Sequence, residues 1–373
     1  MLYLGIDQHA NQLTIDLGTE NGDLVLHRQV KTEWKPLRKF LGELESLARK
    51  EGGYMAIVEV CGFNDYLMDL LKEYGCDQVV LVQPDGRKKC KTDRRDARTL
   101  RESLWINRAR LREGKRPAKL RVVRVASEDD AMDRQLTTLR SQLTTQRTRL
   151  INRVKTILRK RNLQHDCPTK GIQTKKARKW LWALTLPEMD RFEMNVLLSE
   201  WDLIDQQLDQ VDKKIQARYR QRDVARVVGT IPGMGYFNGL SIACRIGDVE
   251  DFPRGGSLAN YWGLTPGARN SGEKNTPLGI TKAGSSHARY VLGQVVVHVL
   301  RRDRWMRQWY QKIKRRRGSK IGRVAVMRRL ATIICSMVKY DMPYMTGGPE
   351  KFEEYLRKHK GFFGETHITA GRV

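Results

Sequence analysis

The segment LYLGID at residues 2–7 has the pattern of a β-strand with a carboxylate at its end. Successive side chains of a strand point to opposite faces, so positions 2, 4 and 6 form one apolar face and positions 3, 5 and 7 form the other. Asp7 therefore ends an apolar strand, on the same face as Gly5. A carboxylate in such a position is a candidate functional residue.

Alternating strands and helices are predicted around this segment, up to about residue 110. Three antiparallel strands come first, and the turn ENGD at residues 20–23 joins the last two. Helix and strand then alternate, which is the order of the ribonuclease-H-like fold, although other α/β folds share parts of that order. The predicted strands are 2–7, 12–17, 24–30, 55–61 and 79–82, and the predicted helices are 36–48 and 66–74.

The composition is that of a nucleic-acid-binding protein. The chain has 373 residues, with 70 lysines and arginines against 42 aspartates and glutamates, and a net charge of +28. Such a charge repels itself and requires a polyanionic partner, which an enzyme acting on one small metabolite would not need. The length allows about two or three domains, and 40% hydrophobic residues are enough to build their cores.

Cysteine spacing and hydropathy indicate a reducing, aqueous compartment. The six cysteines lie at least fourteen residues apart, without the CxxC pairs of common zinc sites. Asp7 comes too early for the apolar core of a signal peptide. The most apolar late stretch, 291–300, is far shorter than the ~20 residues that span a bilayer. We expect an intracellular, cytoplasmic protein with no membrane partner.

Apolar residues in the middle of the chain follow a 3.5-residue period, which is typical of coiled coils and long helical hairpins. A helix-breaking segment, CPTKG at 167–171, separates two such runs. Two compatible interpretations remain open, namely a helical hairpin within one chain and an arm for oligomerisation. The runs are Met132, Leu136, Leu139, Leu143, Gln146, Leu150 and Ile157, then Leu197, Trp201, Ile204, Leu208, Val211 and Ile215.

From about residue 224 the pattern indicates a helix, a glycine-rich hairpin and a second helix. The hairpin contains IPGMG at residues 231–235, and an apolar run follows at 240–246. In a helix-hairpin-helix motif, Gly233 and Gly235 would let backbone N–H groups approach a DNA phosphate. The alternative is an ordinary glycine-containing turn.

A one-sided basic run lies at residues 301–329, where thirteen lysines and arginines accompany a single acid, Asp303. A solvated helix face is one interpretation, but the excess of one sign favours nucleic acid. Aromatic residues are interleaved with the charges and could stack on bases. The candidates are Trp305, Trp309, Tyr310, Arg315, Arg316 and Arg317.

Four carboxylates in the first 110 residues are candidates for a metal site. Glu59 interrupts the apolar strand AIVEVC, where a carboxylate is costly to bury unless positive charge meets it. Asp93 and Asp96 lie three residues apart and would share a helix face. Alone, these two are better explained as a solvated ion-pair face with Arg94 and Arg95. Together with Asp7 and Glu59 they favour Mg²⁺ or Mn²⁺, two of which can hold the attacking and leaving oxygens of a phosphodiester.

A second candidate centre is the segment ARNSG, in which we expect Ser271 to lie in a polar loop. Arg269, Lys274 and Lys282 are close in sequence and could offset the charge of a phosphoryl transition state. Composition alone favours an ordinary loop serine. Because no histidine lies nearby in sequence, a carboxylate or a metal-bound hydroxide would have to accept the serine proton.

Seven short motifs occur in an order that resembles the insertion-sequence transposases of the IS-one-ten type, also called DEDD transposases. The motifs are GID ending at Asp7, VEV around Glu59, KTDRRDA with Asp93 and Asp96, IPGMG, GLTP, NSG around Ser271, and ITKAG. The resemblance covers roughly residues 1–345. Each motif has little specificity by itself, but seven in colinear order are strong.

The resemblance implies a RuvC-like site in which Asp7, Glu59, Asp93 and Asp96 hold Mg²⁺, and a second domain with Ser271 as nucleophile. That serine would become linked to DNA as a phosphoserine. A noncoding bridge RNA from the element would pair with target and donor DNA. Protomers would form a tetramer, as a dimer of dimers, with the serine of one acting beside the acids of another. The family also implies a prokaryotic, nucleoid-associated protein.

One departure from the family follows Asp7, where this chain has Gln8, His9 and Ala10 in place of small residues and lysine. We interpret His9 as a local hydrogen-bonding group rather than a metal ligand. The predicted organisation is a RuvC-like α/β domain at 1–118, a coiled-coil or hairpin arm at 126–220, a mainly helical serine-bearing domain at 224–345 and a flexible tail at 359–373.

Two other functions remain open. In the first, the acidic residues alone cut or join DNA through activated water or a 3′-hydroxyl, and Ser271 is structural. In the second, the protein binds nucleic acid without catalysis. A denaturation-resistant protein–DNA adduct would distinguish the serine route from both.

Overall fold

The chain divides into two compact units, Met1–Val125 and Ala126–Val373. The computed structural model describes residues 1–83, 93–115, 117–271 and 274–348, together with 351, 354 and 355. The first unit is α/β and the second is mainly helical, as the sequence predicted. The predicted tail at 359–373 lies outside the described residues.

The first unit is built on a five-stranded sheet with the order β3-β2-β1-β4-β5. β2 pairs antiparallel with both β1 and β3, whereas β1, β4 and β5 run parallel to one another. This order confirms the three antiparallel strands followed by alternating helix and strand. The elements are β1 (Leu2–Gln8), β2 (Gln12–Gly18), β3 (Leu24–Lys31), α1 (Trp34–Glu51), β4 (Tyr54–Glu59), α2 (Asp65–Glu73), β5 (Gln78–Val82) and α3 (Asp93–Arg112).

Helices cover both faces of this sheet. Leu2, Leu4 and Ile6 of β1 pack with Leu37 of α1 and Leu67 of α2. On the other face, Tyr3 packs with Leu104 of α3. Burial on both faces explains why β1 is apolar along its whole length before Asp7.

Gly5 allows α3 to lie directly against β1. A Cβ atom at position 5 would overlap the Ala97 carbonyl oxygen and lie 2.6 Å from the Arg101 backbone nitrogen. A buried ion pair also fixes the helix, since Arg101 Nε donates to Asp16 on β2. Arg101 Nη1 donates to the Gly22 carbonyl at 3.0 Å. The position of α3 on the sheet is therefore set by close packing and by charge.

The second unit contains nine α-helices and one β-hairpin among the residues described. None of the described helices of the chain combines the length and apolar character that a bilayer crossing demands. The elements are α4 (Glu128–Lys160), α5 (Lys175–Ala183), α6 (Glu188–Gln221), α7 (Asp223–Gly229), α8 (Tyr236–Ala243), α9 (Gly255–Tyr261), β6 (Pro266–Ser271), β7 (Lys274–Ile280), α10 (Ser286–Arg302), α11 (Arg304–Arg317) and α12 (Ser319–Lys339), with a short 3₁₀ helix at Val249–Asp251.

The two long helices α4 and α6 pack antiparallel. Lys160 Nζ, at the end of α4, donates to Asp190 Oδ1 at the start of α6 at 3.0 Å. At the other end, Arg218 Nε donates to Asp133 Oδ1 at 2.7 Å. The apolar positions buried by this pair include Leu143, Leu150, Ile157, Leu197, Trp201, Leu208, Val211 and Ile215, which follow the predicted spacing.

The predicted apolar seam is wrong at the start of α4. Met132 is 53% exposed and Leu139 is 43% exposed, whereas Asp133 and Thr137 are buried in their place. The buried guanidinium of Arg245 donates to Thr137 Oγ1 at 3.0 Å. Buried polar groups require hydrogen-bond partners, and these contacts turn the polar side of α4 inward at this end.

Replacing Leu143 by Asp is expected to lower the free energy of unfolding by about 3 to 5 kcal/mol, the cost of a buried charge without a partner. Leu143 is 7% exposed and packs in one cluster with Leu208. The basic residues one turn away, Arg140 and Arg147, already form ion pairs with α6. Chemical denaturation followed by tryptophan fluorescence measures the loss.

Leu139→Asp is the matched control, because it places the same charge on an exposed position of the same helix. Its effect should stay below about 0.5 kcal/mol. Equal losses from Leu143→Asp and Leu139→Asp would contradict the burial of Leu143 between α4 and α6.

Candidate functional site

The carboxyl ends of two neighbouring parallel strands bring Asp7 and Glu59 to one edge of the sheet. β1 and β4 pair with Ile6 opposite Val58. Asp7 and Glu59 follow those residues directly, so they occupy the next pair of positions on strands about 4.8 Å apart. Asp7 is 9% exposed and Glu59 is partly buried. Two carboxylates this close repel each other unless positive charge or hydrogen-bond donors offset them.

Helix α3 runs antiparallel to β1 on the face that carries Asp7. Late in the helix, Arg112 Nη2 donates to the Tyr3 hydroxyl at 2.6 Å. Near its start, the backbone of Ala97 meets Gly5. Moving along β1 from Tyr3 to Gly5 therefore means moving toward the beginning of α3. The first turn of α3 consequently approaches the end of β1 at which Asp7 lies.

The other two candidate acids belong to that first turn. Asp96 precedes Ala97 and is partly buried. Asp93 is the first residue of α3, and its side chain lies outside the described part of the structure. The backbone thus brings Asp7, Glu59 and the turn with Asp93 and Asp96 into one region, although they lie on three separate elements.

The strand ends are held together by a residue that the sequence analysis missed. Asn64 is buried, and its Nδ2 donates to Gln8 Oε1 at 2.8 Å and to the Glu59 carbonyl at 2.9 Å. Its Oδ1 accepts from the Cys61 N–H at 3.0 Å. Gln8 Nε2 in turn donates to the Phe63 carbonyl at 3.0 Å. A lone asparagine in a turn gives no sequence signal for such a role.

The donor chemistry of this region fits a hard divalent cation. Asp7, Glu59 and Asp96 all offer carboxylate oxygens, which Mg²⁺ and Mn²⁺ prefer. His9 Nε2 lies 3.2 Å from Asp7 Oδ2, and this contact agrees with a local hydrogen-bonding role for His9. Among the described side chains, no three potential ligands already form a metal-holding group. The fourth carboxylate, that of Asp93, is not one of the described side chains.

The segment around Ser271 is a β-hairpin, so the predicted polar loop is wrong for most of it. In β6 and β7, Ser271 lies opposite Lys274 and Arg269 lies opposite Thr276. Residues 272–273 between the strands lie outside the described residues. Prolines and glycines in both strands obscured the strand pattern, because these residues are depleted in strands. Ser271 ends its strand at the hairpin tip.

The side chains of Ser271, Arg269 and Lys274 lie outside the described part of the structure, so only their backbone positions are known. Lys282 is exposed and follows β7 at the base of the hairpin. With a rise of about 3.4 Å per residue, a strand the length of β7 separates Lys282 from Ser271 by roughly 20 Å. The hairpin therefore does not bring Lys282 beside Ser271 within one chain.

The base of the hairpin is anchored by an arginine that the sequence analysis also missed. Arg289 Nη1 donates to the Trp262 carbonyl at 2.9 Å and to the Gly284 carbonyl at 3.2 Å. The Lys282 N–H donates to the Gly263 carbonyl at 3.1 Å. These bonds tie the chain on both sides of the hairpin to the start of α10.

His287 is the histidine nearest to Ser271 in the sequence, and its contacts lie in the helical core. Its Nε2 lies 3.3 Å from Ser241 Oγ. Burial and the neighbouring Arg245 lower the pKa of His287 to about 4, so the ring is neutral at physiological pH. Its position on α10 gives it a packing role.

Gly233 lies in the turn between α7 and α8, at the predicted phosphate-binding hairpin. Its φ is +85°, and a Cβ atom there would lie 2.6 Å from His298 Cγ. Backbone conformation and close packing thus both require glycine at this position. Gly235 precedes the first residue of α8 as its N-cap, and a Cβ atom there would meet no other group.

The basic run presents an exposed surface, and the one acid within the run lies inside the protein. Arg315, Arg316 and Arg317 are exposed in the last turn of α11. Asp303 is 2% exposed and is used internally, since its Oδ1 accepts from the Met306 N–H at 3.0 Å and its Oδ2 from the Tyr344 hydroxyl at 2.7 Å. The surface charge of this run is therefore entirely positive.

The aromatic residues of the same run lie against the helical core and do not stand free on the surface, as base-stacking residues in an exposed basic run would. Tyr310 is 8% exposed and belongs to the helical core. Trp305 and Trp309 pack against that core, and Arg329 covers them at 4.6 and 5.1 Å from the ring centroids. Their spacing places these rings on the inner side of α11.

Comparison with known proteins gives matches in both units. Residues 225–311 match the family model described as "Transposase IS116/IS110/IS902 family". Residues 4–162 match the DEDD model of IS110 type, described as "Transposase".

Two relatives extend these matches over most of the chain. The chain is 26% identical over 274 residues to the transposase for insertion sequence element IS1111A of Coxiella burnetii, covering 70% of each chain. It is 24% identical over 311 residues to a protein of Pseudomonas aeruginosa named "Probable family 20 transposase", covering 79% of this chain and 86% of that one.

Proposed function

Because the chain belongs to the IS110/IS116/IS902 family of insertion-sequence transposases, we propose that it exchanges DNA strands through a serine-linked intermediate, with a metal-holding acidic site and a guide RNA. A transposase cuts and rejoins DNA. The centres that would perform these steps lie on β1, β4 and α3 in the first unit and on the β6–β7 hairpin in the second.

The arrangement at the carboxyl ends of β1 and β4 is the observation that carries this function. Asp7 and Glu59 occupy adjacent positions there, and the packing of Ala97 on Gly5 supports the approach of Asp93 and Asp96. These four residues would hold Mg²⁺ or Mn²⁺, which the DEDD family implies. When bound, the cation would withdraw charge from phosphodiester oxygens. The protein supplies oxygen ligands on rigid strands whose ends are bonded to each other.

Ser271 is the proposed nucleophile. Its Oγ would form a bond to a DNA phosphorus while a bond between that phosphorus and a deoxyribose oxygen breaks, and a carboxylate would accept the serine proton. Attack by the hydroxyl of another strand would then release the serine and join the DNA. Two observations support this role, namely the position of Ser271 at a hairpin tip and the anchoring of the hairpin base by Arg289. Arg269 and Lys274 would offset phosphoryl charge.

The nucleic-acid partners are target and donor DNA and a bridge RNA from the element. A net charge of +28 supports a large polyanionic partner. We assign phosphate contacts to the exposed Arg315, Arg316 and Arg317 and to Lys282. The turn with Gly233 and Gly235 would act as a helix-hairpin-helix, with backbone N–H groups of α8 near a phosphate.

Replacing Arg315, Arg316 and Arg317 together by Gln should reduce the salt dependence of duplex DNA binding. Each phosphate that the protein no longer neutralises should flatten the slope of log affinity against log salt by about 0.9. Fluorescence anisotropy over a series of salt concentrations measures this slope. The control replaces Lys31, Lys35 and Lys39 of the first unit by Gln, since these are also exposed and carry the same total charge. An equal change in both variants would show that total charge, rather than this surface, sets the slope.

The arm formed by α4 and α6 is the proposed coiled-coil element of a tetramer, a dimer of dimers. A row of exposed apolar residues on α6 supports this assembly. Met189, Val196 and Leu203 are seven residues apart and 71%, 43% and 55% exposed, and Phe192 between them is 62% exposed. Apolar residues at heptad spacing on a helix surface are typical of helix–helix interfaces.

Replacing Val196 and Leu203 by Glu is expected to reduce the particle mass below that of the tetramer, because charge on this row opposes its burial. Light scattering of the full chain measures the mass. Glu200→Gln changes an exposed position of the same helix and should leave the mass unchanged. A doubly substituted variant with the mass of the wild type would exclude this row as the interface.

A strand-exchange assay with the purified chain, the element's noncoding RNA, donor and target duplexes and Mg²⁺ tests the whole function. Joined DNA is expected only when all components are present. Exchange without the RNA would remove RNA guidance from the function. Cleavage without a protein–DNA adduct would instead favour the route in which the acids act alone and Ser271 is structural.

A further inference from the structure

A groove of about 440 Å³ opens on the basic surface of the second unit, where α10, α11 and α12 meet. Its lining is apolar inside and basic at the edge. Val297, Leu300 and Tyr310 contribute apolar surface, and Arg301, Arg307 and Arg323 contribute the charge. No lining residue is acidic.

The apolar part of the groove is fixed by packing. Tyr310 is 8% exposed, and its ring lies so close to α12 that a Cβ atom at Gly322 would be 2.9 Å from the ring edge. Leu300 is partly buried in the same core. Val297 is 40% exposed and forms an accessible wall. The groove therefore offers a rigid, mainly aliphatic surface that is open to a ligand, with one edge of an aromatic ring in its wall.

The charged part is also held in place. Arg307 Nε donates to the Leu300 carbonyl at 2.6 Å, and its Nη2 donates to the Arg301 carbonyl. These bonds use two of the five N–H donors of the guanidinium. The one acid of the surrounding run, Asp303, is buried and bonded to Tyr344. The potential at the groove is consequently positive.

We infer that this groove binds one unpaired nucleotide of a bulged or single-stranded nucleic acid. The base would lie against Val297 and Leu300, beside the edge of Tyr310 that lines the groove. The flanking phosphates would meet Arg301, Arg307 and Arg323. An unpaired base has a flat apolar face beside an anionic backbone, which matches this combination of surfaces. The volume lies within the range of about 300–1,000 Å³ that is usual for ligand pockets. An acidic peptide would match the charge but has no group that requires the apolar slot.

This inference rests on the proposed binding of nucleic acid by the second unit, and it adds a preference that a basic surface alone does not give. Phosphate contacts attract paired and unpaired strands alike. A groove that accepts a base discriminates between them. The measurable quantity is therefore the affinity for a bulged duplex relative to the same duplex without the bulge.

Val297→Phe in the full chain tests the groove, because the larger side chain fills it without changing the charge. Fluorescence anisotropy compares two short RNA duplexes, one fully paired and one with a single bulged adenine. The wild type should prefer the bulged duplex by about tenfold, in the range of one base contact. Val297→Phe should lose this preference and keep its affinity for the paired duplex. Val297→Ala, which leaves the groove open, should keep the preference.

An abasic bulge separates base recognition from backbone flexibility. The duplex with the abasic bulge should bind the wild type as weakly as the paired duplex does. Val297→Phe and the wild type should bind this abasic duplex with equal affinity. Wild-type protein that binds all three duplexes equally would overturn the groove site while leaving nucleic-acid binding intact. Displacement of the bulged duplex, but not the paired one, by polyglutamate would assign the groove to an acidic protein segment instead. Failure to bind any duplex would contradict the proposed nucleic-acid function itself.

Discussion

Ser271→Ala is expected to eliminate the covalent protein–DNA adduct and to reduce strand exchange by more than about 10⁴-fold, the scale on which loss of a nucleophile acts. A methyl group cannot form a bond to phosphorus, whereas the backbone of the β6–β7 hairpin is unaffected by the change. Binding of DNA and RNA should be retained. Mass spectrometry of protein trapped on a nicked target identifies the modified residue. Ser271→Cys is expected to retain a trace of activity, because a thiolate is a better nucleophile but a poorer ligand for hard cations.

Ser286→Ala is the control, since Ser286 is an exposed serine at the start of α10 and has no proposed role in the reaction. This variant should form the adduct at the wild-type rate. An adduct that maps to a residue other than 271 would contradict the serine mechanism. So would strand exchange by an active preparation in which no adduct forms.

Asp7→Asn is expected to reduce strand exchange in Mg²⁺ by more than about 100-fold, which exceeds the usual effect of removing an outer partner of a metal ligand. The amide has the shape of the carboxylate but lacks the charge that attracts a cation. Glu59→Gln should act in the same way, because Glu59 occupies the adjacent position on β4. The fold should remain intact, since neither change alters the size of a buried group. Calorimetric titration with Mg²⁺ provides a readout that is independent of activity.

Asp69→Asn serves as the matched control, because it removes the same charge from an exposed position on α2 of the same unit. It should bind Mg²⁺ and exchange strands as the wild type does. Recombination by Asp7→Asn or Glu59→Gln at the wild-type rate in Mg²⁺ would show that the metal site is misplaced.

The first unit could be predicted from the sequence because its signals are local. Alternating or continuous apolar residues identified all five strands, with ends within a few residues of those in the structure. The parallel pairing of β1 with β4 then makes neighbours of Asp7 and Glu59, although 51 residues separate them in the sequence. The roles of these acids and of Ser271 stay predictions until the variants are measured.

The features that escaped prediction depend on contacts between distant residues. Met132 and Leu139 have heptad spacing, but Arg245, more than 100 residues later, holds the polar side of α4 inward. Tyr310 lies in a basic run and nevertheless packs into the helical core. Asn64 holds the ends of two strands through bonds that no short motif encodes. Spacing indicates which side of a helix is apolar, but only the partner elements determine which side is buried.

Gly5 makes the acidic region depend on a residue that has no functional group. Any side chain at this position would collide with the backbone of α3 at Ala97, and the turn that carries Asp93 and Asp96 would have to move away from Asp7. In a saturation-mutagenesis screen scored by transposition, position 5 should therefore be as intolerant of change as the acids. Loss of mobility of the element in such a screen does not by itself identify a residue that contacts metal or DNA.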